Sequence, residues 1–293
     1  MIKAKVLKYS MTQLGNTIIT YELEYPRFIH AEFMTHRVFS RNSASSRAIP
    51  LEAMHHQILE ADVHPVSWGK NMPGMQAKEE LTGADLEAVK AIWDCARKDA
   101  LRYAKSMASH GAHKQCFNRL TEPFMQMKVI LTTTEETNWE ELRNHSDADP
   151  TIQALAKAML MAKAGLVPQV LNPGEWHLPY IDTHRDLQYS GELIYSSEGT
   201  VVDLETAKMI SASCCAQVSY RKNDNSIEKA QNIYDRLINS TPRHASPVEH
   251  QATPIRYMET ISGWQPGVTH ADRQGNLWSG NFKHWIQNRQ VLA

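Results

Sequence analysis

The chain has 293 residues, 42% hydrophobic and 22% charged, enough to bury one large core or two modest ones, which excludes a disordered chain. Thirty-one Lys and Arg stand against 32 Asp and Glu, a net charge of -1 that excludes holding duplex nucleic acid by bulk electrostatics but leaves room for a local basic pocket around one nucleotide. No window approaches about 18 uninterrupted apolar residues, and the opening MIKAKVLKYSMTQ has no apolar signal core, so a cytoplasmic protein without a membrane span is expected.

Two runs rich in β-branched and aromatic residues, Ile2 to Tyr9 and Thr17 to Tyr25, flank Gly15-Asn16 and predict a β-hairpin. Pro26 should end the second strand and open a helix over Arg27 to Val38, because proline suits the first helical turn. A polar loop from Phe39 to Ala48 follows. Pro65 to Gly83, rich in Gly, Pro, Met and Asn and centred on Trp68 to Gln76, is a second loop. Asp85 to Gly111 carries Leu86, Val89, Ile92, Trp93, Ala96, Leu101 and Ala104 at helical spacing and predicts a long helix stopped by Gly111.

The apolar, β-branched segment Phe124 to Thr134 runs through Glu135 to Arg143 into a helix over Pro150 to Ala164, with Asp149 as its N-cap. An aromatic connection, Gly165 to Val201, contains Trp176-His177-Leu178-Pro179. Helices are then expected over Leu204 to Cys215 and Ile227 to Ile238, followed by the loop Thr241 to His250, a strand reaching Ile261, and a helix-like tail with Trp285 and Arg289. There is no internal repeat. A division near residue 200 separates residues 1–200 from residues 201–293.

Cys95, Cys116, Cys214 and Cys215 include a vicinal pair and no C-x-x-C, which predicts buried free thiols rather than disulfides or a zinc site. His55-His56 and His64 show no metal-ligand spacing.

The most informative stretch is Thr35-His36-Arg37-Val38-Phe39-Ser40-Arg41-Asn42-Ser43-Ala44-Ser45-Ser46-Arg47, a donor-rich run with no acidic residue. Arginine offers a planar fork that matches phosphate, and hydroxyls with backbone N–H groups complete an anion cradle. A phosphorylated ligand is one inference. A solvated loop that merely caps the preceding helix is the other.

This stretch resembles the signature of the flavin-dependent thymidylate synthases, the ThyX family, at His36, Arg37, Ser40, Asn42, Ser45 and Arg47, with Thr35 and Ala48 departing from the family's arginine and tyrosine. A second resemblance lies at Asn138-Trp139-Glu140-Glu141-Leu142-Arg143, with Asp147 and Asp149 standing where the family has His and Gln. The third, Val218-Ser219-Tyr220 with His244-Ala245-Ser246-Pro247-Val248-Glu249-His250, resembles the part that opens ordinary members but comes here near the C-terminus. The resemblance therefore implies a circularly permuted order, reasonable where termini lie close together.

By this resemblance Thr35, His36, Arg37, Asn42, Asn138, Ser219, His244 and Ser246 face FAD. Glu32, Ser45, Arg47 and Arg143, with Asn118 or Arg119, bind the nucleotide; Arg119 is chemically preferable, while the gapless register favours Asn118. The family implies an α/β (α+β) fold, a strand layer flanked by helices, in a homotetramer whose sites combine residues of several subunits. Its reaction is the reductive methylation of dUMP, with methylenetetrahydrofolate as carbon donor and NADPH as reductant. Arg143 would stabilise charge on the pyrimidine and Ser45 would position it.

The departures leave hydroxymethyl transfer to a pyrimidine nucleotide open, as well as a nucleotide-binding protein that has lost flavin. A thiolate mechanism through Cys116 or Cys214 lacks a recognisable nucleophile context.

Overall fold

Alternation along the second strand divides the molecule into two layers: Ile19, Tyr21, Leu23 and Tyr25 face one core, while Ile18 and Thr20 are buried on the opposite side. The computed structural model describes residues 2–292 except 189, 220–222 and 257–262. Tyr220 of the third motif and the far end of the strand expected to reach Ile261 lie outside the described residues.

A five-stranded sheet has the order β3-β4-β2-β1-β5, formed by β1 (Lys3–Thr12), β2 (Thr17–Pro26), β3 (Ser40–Ser43), β4 (Gln126–Thr133) and β5 (Gln169–Leu171). Only β5 runs parallel to its neighbour β1. Helices α1 (His30–Phe33), α2 (Leu51–Ala61), α3 (Gly83–Ser109) and α4 (Lys114–Phe117) fall between β2 and β4. Helices α5 (Thr137–Arg143), α6 (Pro150–Lys163), α7 (Leu204–Ala216), α8 (Ile227–Leu237) and α9 (Asn288–Val291) follow. The molecule is α+β. Among the described residues no helix is long and apolar enough to cross a membrane.

On the first face, Tyr21, Leu23, Met127, Val129 and Leu131 pack beneath Ile152, Leu155, Ala156 and Met159 of α6, with Phe33, Phe39 and Trp139 closing one end. Each buried Leu, Ile, Val, Phe or Met side chain contributes about 1.5–3 kcal/mol. The N-terminus of α6 is capped as expected: Asp149 accepts from the N–H groups of Thr151 at 2.8 Å and Ile152 at 3.1 Å.

The second face is covered by segments from both sides of residue 200, because Ile18 joins Trp176, Leu178, Ile210, Ala252, Phe282 and Trp285 in one cluster. Trp176 and Leu178 are core packing. His177 belongs to a buried polar chain. Its Nδ1 meets Ser10 Oγ at 2.9 Å and its Nε2 meets Thr20 Oγ1 at 2.8 Å; Thr20 meets Thr132 at 2.7 Å, and Thr132 meets His250 Nδ1 at 2.9 Å.

Several expectations are corrected. The helix foreseen over Arg27 to Val38 is a 3₁₀ turn, Arg27–Ile29, followed by the single turn α1. It stops because Arg41 donates to the carbonyls of Phe33, Met34 and His36 at 3.4, 3.3 and 3.0 Å, turning the chain back. Residues 40–43 of the foreseen polar loop form β3, which an alternation of polar residues conceals and the free edge of β4 supplies. Val218 and Ser219, where the family resemblance implies a strand, sit in a 3₁₀ turn, Gln217–Ser219.

The tail is chiefly strand, since Trp285–Gln287 pairs with Ala252–Pro254 and only Asn288–Val291 is helical. Cys95 and Cys116 are exposed, so only Cys214 and Cys215 are buried thiols.

Burial holds His177 and His250 in the neutral form, pushing His177 well below its ordinary value of 6.5 and His250 to about 3. The unfolded chain takes up protons below pH 6.5 that the folded chain refuses, so this stability is complete above 6.5 and is lost as pH falls towards about 3. Urea unfolding between pH 7 and 4 should show stability falling with pH. His250→Asn, which keeps the Thr132 contact without a titrating ring, should flatten that slope; an unchanged slope would show that His250 titrates normally.

Candidate functional site

Three of the sequence-predicted residues, Glu32, Thr35 and His36, converge on a fourth. Arg143 ends α5, a helix anchored by Trp139, which is 1% exposed. Its Nε donates to His36 Nε2 at 3.0 Å, one terminal nitrogen to Glu32 at 3.2 Å and the other to Thr35 Oγ1 at 3.3 Å. These bonds use three of the five guanidinium N–H donors. Burial, helped by the neighbouring charges of Arg143 and Arg41, lowers the His36 pKa to about 4. His36 is therefore a neutral acceptor that orients the guanidinium. Arg37 and Asn138 are solvent-exposed.

The signature continues along β3 to a second pole. Ser40 accepts from Gln287 Nε2 at 2.9 Å, and Asn42 donates to the Cys215 carbonyl at 3.2 Å. Beyond the strand, the Ala44 N–H donates to the Lys128 carbonyl at 2.9 Å and the Ser45 N–H to Ser219 Oγ at 3.0 Å. The Ser246–His250 turn packs against β3 and α7, and Arg289 forms an ion pair with Glu249. Residues widely separated in sequence thus meet along the signature, while His244 and Ser246 are exposed.

Asn118 is 1% exposed and donates to the carbonyls of Ser46 at 2.8 Å and Ile49 at 3.0 Å, so its amide fastens the loop that presents Ser45 and Arg47. Glu122 receives the Ser46 hydroxyl at 2.8 Å, Arg119 at 3.0 Å and Arg27 at 3.1 Å. Arg47 is exposed. His36 and Ser45 lie at opposite ends of β3, which sets the Arg143 cluster and the Ser45–Arg47 loop apart within one chain.

Behind the loop is a cavity of about 830 Å³. Glu24 and Lys128 line its floor, Ala53 and Gln57 of α2 one wall, and Val218 and Ser219 the other. Lys128 Nζ pairs with Glu22 at 2.9 Å, and the Tyr180 hydroxyl donates to the same carboxylate at 3.1 Å. Tyr180 is held at φ 66°, a conformation unfavourable for a bulky residue. The motifs did not reveal Glu24, Lys128 or α2. The signal was the alternation of Glu22 and Glu24 with Tyr21, Leu23 and Tyr25, which places charge on one face of a central strand.

The cysteines offer no activated nucleophile on the buried side. Cys214 donates to Asn225 Oδ1 at 3.1 Å and burial pushes its thiol up to about 12, while Cys215 is raised well above its ordinary value.

Thr35, His36 and Asn42, three of the residues expected to face a flavin, are engaged inside the chain. Arg37, Asn138, His244 and Ser246 are exposed, and Ser219 is half-buried, its hydroxyl accepting from the Ser45 N–H and donating to no partner among the described residues. A guanidinium, an amide, an imidazole and hydroxyls are donors of the kind that phosphates and heterocyclic carbonyls accept from.

No protein-family profile matches the chain, and no curated protein matches it. Solved structures similar to it include a UMP/dUMP methylase PolB from Streptomyces cacaoi bound with 5-Br UMP, at 15% identity and a TM-score of 0.47, covering 57% of this chain and 90% of that chain. The same methylase bound with 5-Br dUMP matches at 14% identity and 0.47, covering 57% and 91%.

Removing the guanidinium takes away one of the charges that depress His36. An NMR pH titration of Arg143→Ala should therefore show the His36 pKa rising from about 4 towards its ordinary value. No movement would mean that Arg143 does not face this imidazole in solution.

Proposed function

We propose that this chain is an enzyme acting at C5 of a pyrimidine nucleotide, a flavin-dependent thymidylate synthase-like methyltransferase that converts dUMP to dTMP. The observation that carries the reading is the meeting of motif residues from remote segments: Arg143 with Glu32, Thr35 and His36, and Ser45 with Ser219. Composition does not require such meetings. The permuted segment order is part of the proposal, because residues after 217, Ser219 and Gln287, supply partners to the signature stretch that precedes them in sequence.

In this reading FAD, when bound, carries the hydride supplied by NADPH, with methylenetetrahydrofolate as the carbon donor. The chain's own residues bind and orient. Ser45 and Arg47 hold the nucleotide phosphate on a loop fixed by Asn118 and Glu122. Arg143, aimed by neutral His36 and by Glu32, faces a pyrimidine carbonyl oxygen and stabilises the charge that develops there. A homotetramer with shared sites is part of the proposal, one copy supplying Arg143 and another the Ser45–Arg47 loop. No thiol attack is needed, consistent with the raised pKa of Cys214 and Cys215.

Visible absorption of the purified protein with added FAD, followed by dUMP titration, tests the reading. A bound flavin band perturbed by dUMP is expected. Arg47→Ala should weaken dUMP binding roughly tenfold or more, and Arg143→Ala should lower turnover by about 10². Protein that binds dUMP and never flavin would replace the redox mechanism with a nucleotide-binding role.

A further inference from the structure

The cavity behind the signature loop has a floor of unusual charge pattern. Glu24 of β2 and Lys128 of β4 are direct cross-strand partners, so their Cβ atoms lie about 5 Å apart on one face. They are not paired with each other. Glu24 binds Lys3 at 3.0 Å through one carboxylate oxygen, and Lys128 binds Glu22 at 2.9 Å, with Tyr180 fixing Glu22 from behind at 3.1 Å. Among the described residues this leaves one carboxylate oxygen of Glu24 and N–H donors of Lys128 side by side at the cavity floor.

A small anion on this floor meets Glu24, and a small cation meets Lys128. A neutral edge that presents a carbonyl beside an N–H meets neither penalty, accepting from Lys128 and donating to Glu24. Ala44, Ala48, Ile49 and Ala53 give part of the wall a small or apolar surface that suits a flat ring, His56 and Glu60, paired with each other at 3.1 Å, make another part polar, and the volume of about 830 Å³ admits a heterocycle with its substituent. Ser219, already bonded to the Ser45 N–H, joins this cavity to the signature loop.

We infer that the Glu24–Lys128 floor binds the imide or lactam edge of a planar heterocycle, making both residues specificity determinants that no motif marks. Two sources carry that edge, a uracil nucleotide and a pterin. The first rests on the function proposed above, whereas the second does not require the nucleotide to lie here.

Calorimetric titration of the full chain with dUMP, UMP, 3-methyluridine 5′-monophosphate and 5-formyltetrahydrofolate separates the outcomes. The variants are Lys128→Gln, Glu24→Gln and Ala53→Leu, the last narrowing the slot from α2 without touching a polar group, with folding checked by circular dichroism. If a uracil nucleotide occupies the cavity, each variant weakens UMP and dUMP roughly tenfold or more, and the 3-methyl analogue, lacking the N–H, fails to bind wild type. If the pterin occupies it, the variants weaken 5-formyltetrahydrofolate and spare dUMP, which upholds the inference. Nucleotide or folate binding that all three variants leave intact would overturn the inference while leaving the proposed function standing. Wild-type protein that binds none of the probes would overturn both.

Discussion

The structure depends on the two-sided burial of β2. Its odd-numbered residues, Ile19 to Tyr25, sit on an apolar core under α6, while at its opposite face Ile18 and Thr20 are sealed beneath the C-terminal half of the chain. A strand buried on both faces cannot leave a hydroxyl or imidazole unpaired at low cost, since an unmet buried polar group costs about 1–3 kcal/mol. The Ser10–His177–Thr20–Thr132–His250 chain meets most of that constraint by joining β1, β2 and β4 to both covering segments, and among the described residues it leaves only the His250 Nε2 at its end without a partner. Farther along the same face the cover ends, and Glu24 and Lys128 line the cavity, with Glu22 paired to Lys128 beside it.

This geometry explains how one short strand serves two poles. β3 is held at its start by Gln287, in its middle by the Asn42 bond to Cys215, and beyond its end by the Ala44 and Ser45 N–H groups. Those bonds fix the loop that follows, so Ser45 and Arg47 stand on a supported platform. The other end of β3 emerges from the turn closed by Arg41, where His36 meets Arg143. Precise placement of donors by neighbours that are themselves fastened is what a polar binding site requires.

The electrostatics follow the same division. At the Arg143 cluster, a carboxylate, a hydroxyl and a neutral imidazole surround one guanidinium, so its direction is set while part of its donor capacity stays uncommitted. At the cavity floor, neighbouring opposite charges are each drawn aside by a different partner. Both arrangements keep charged groups usable by giving them flanking partners instead of a complete shell.

Much of the architecture was legible in the sequence because local rules governed it. The hairpin about Gly15, the long helix read from Asp85 onward, the Asp149 cap and the amphipathic α8 follow from turn chemistry, periodicity and capping, which act over a few residues. The resemblance to the ThyX signature also implied site roles for Glu32, Thr35, His36, Arg143, Ser45 and Ser219, residues that the fold brings into contact in two groups. Tertiary structure alone decided that Ser40–Ser43 becomes an edge strand, that Trp285 lies in a strand, and that Asn118 serves the loop backbone. It also made Glu24 and Lys128 neighbours across 104 positions of chain, a distance given by their numbers. Periodicity assigns a residue to a face of its own element, but pairing register and the cover over that face are properties of other segments, and those decide whether a polar side chain becomes a fastener or a site.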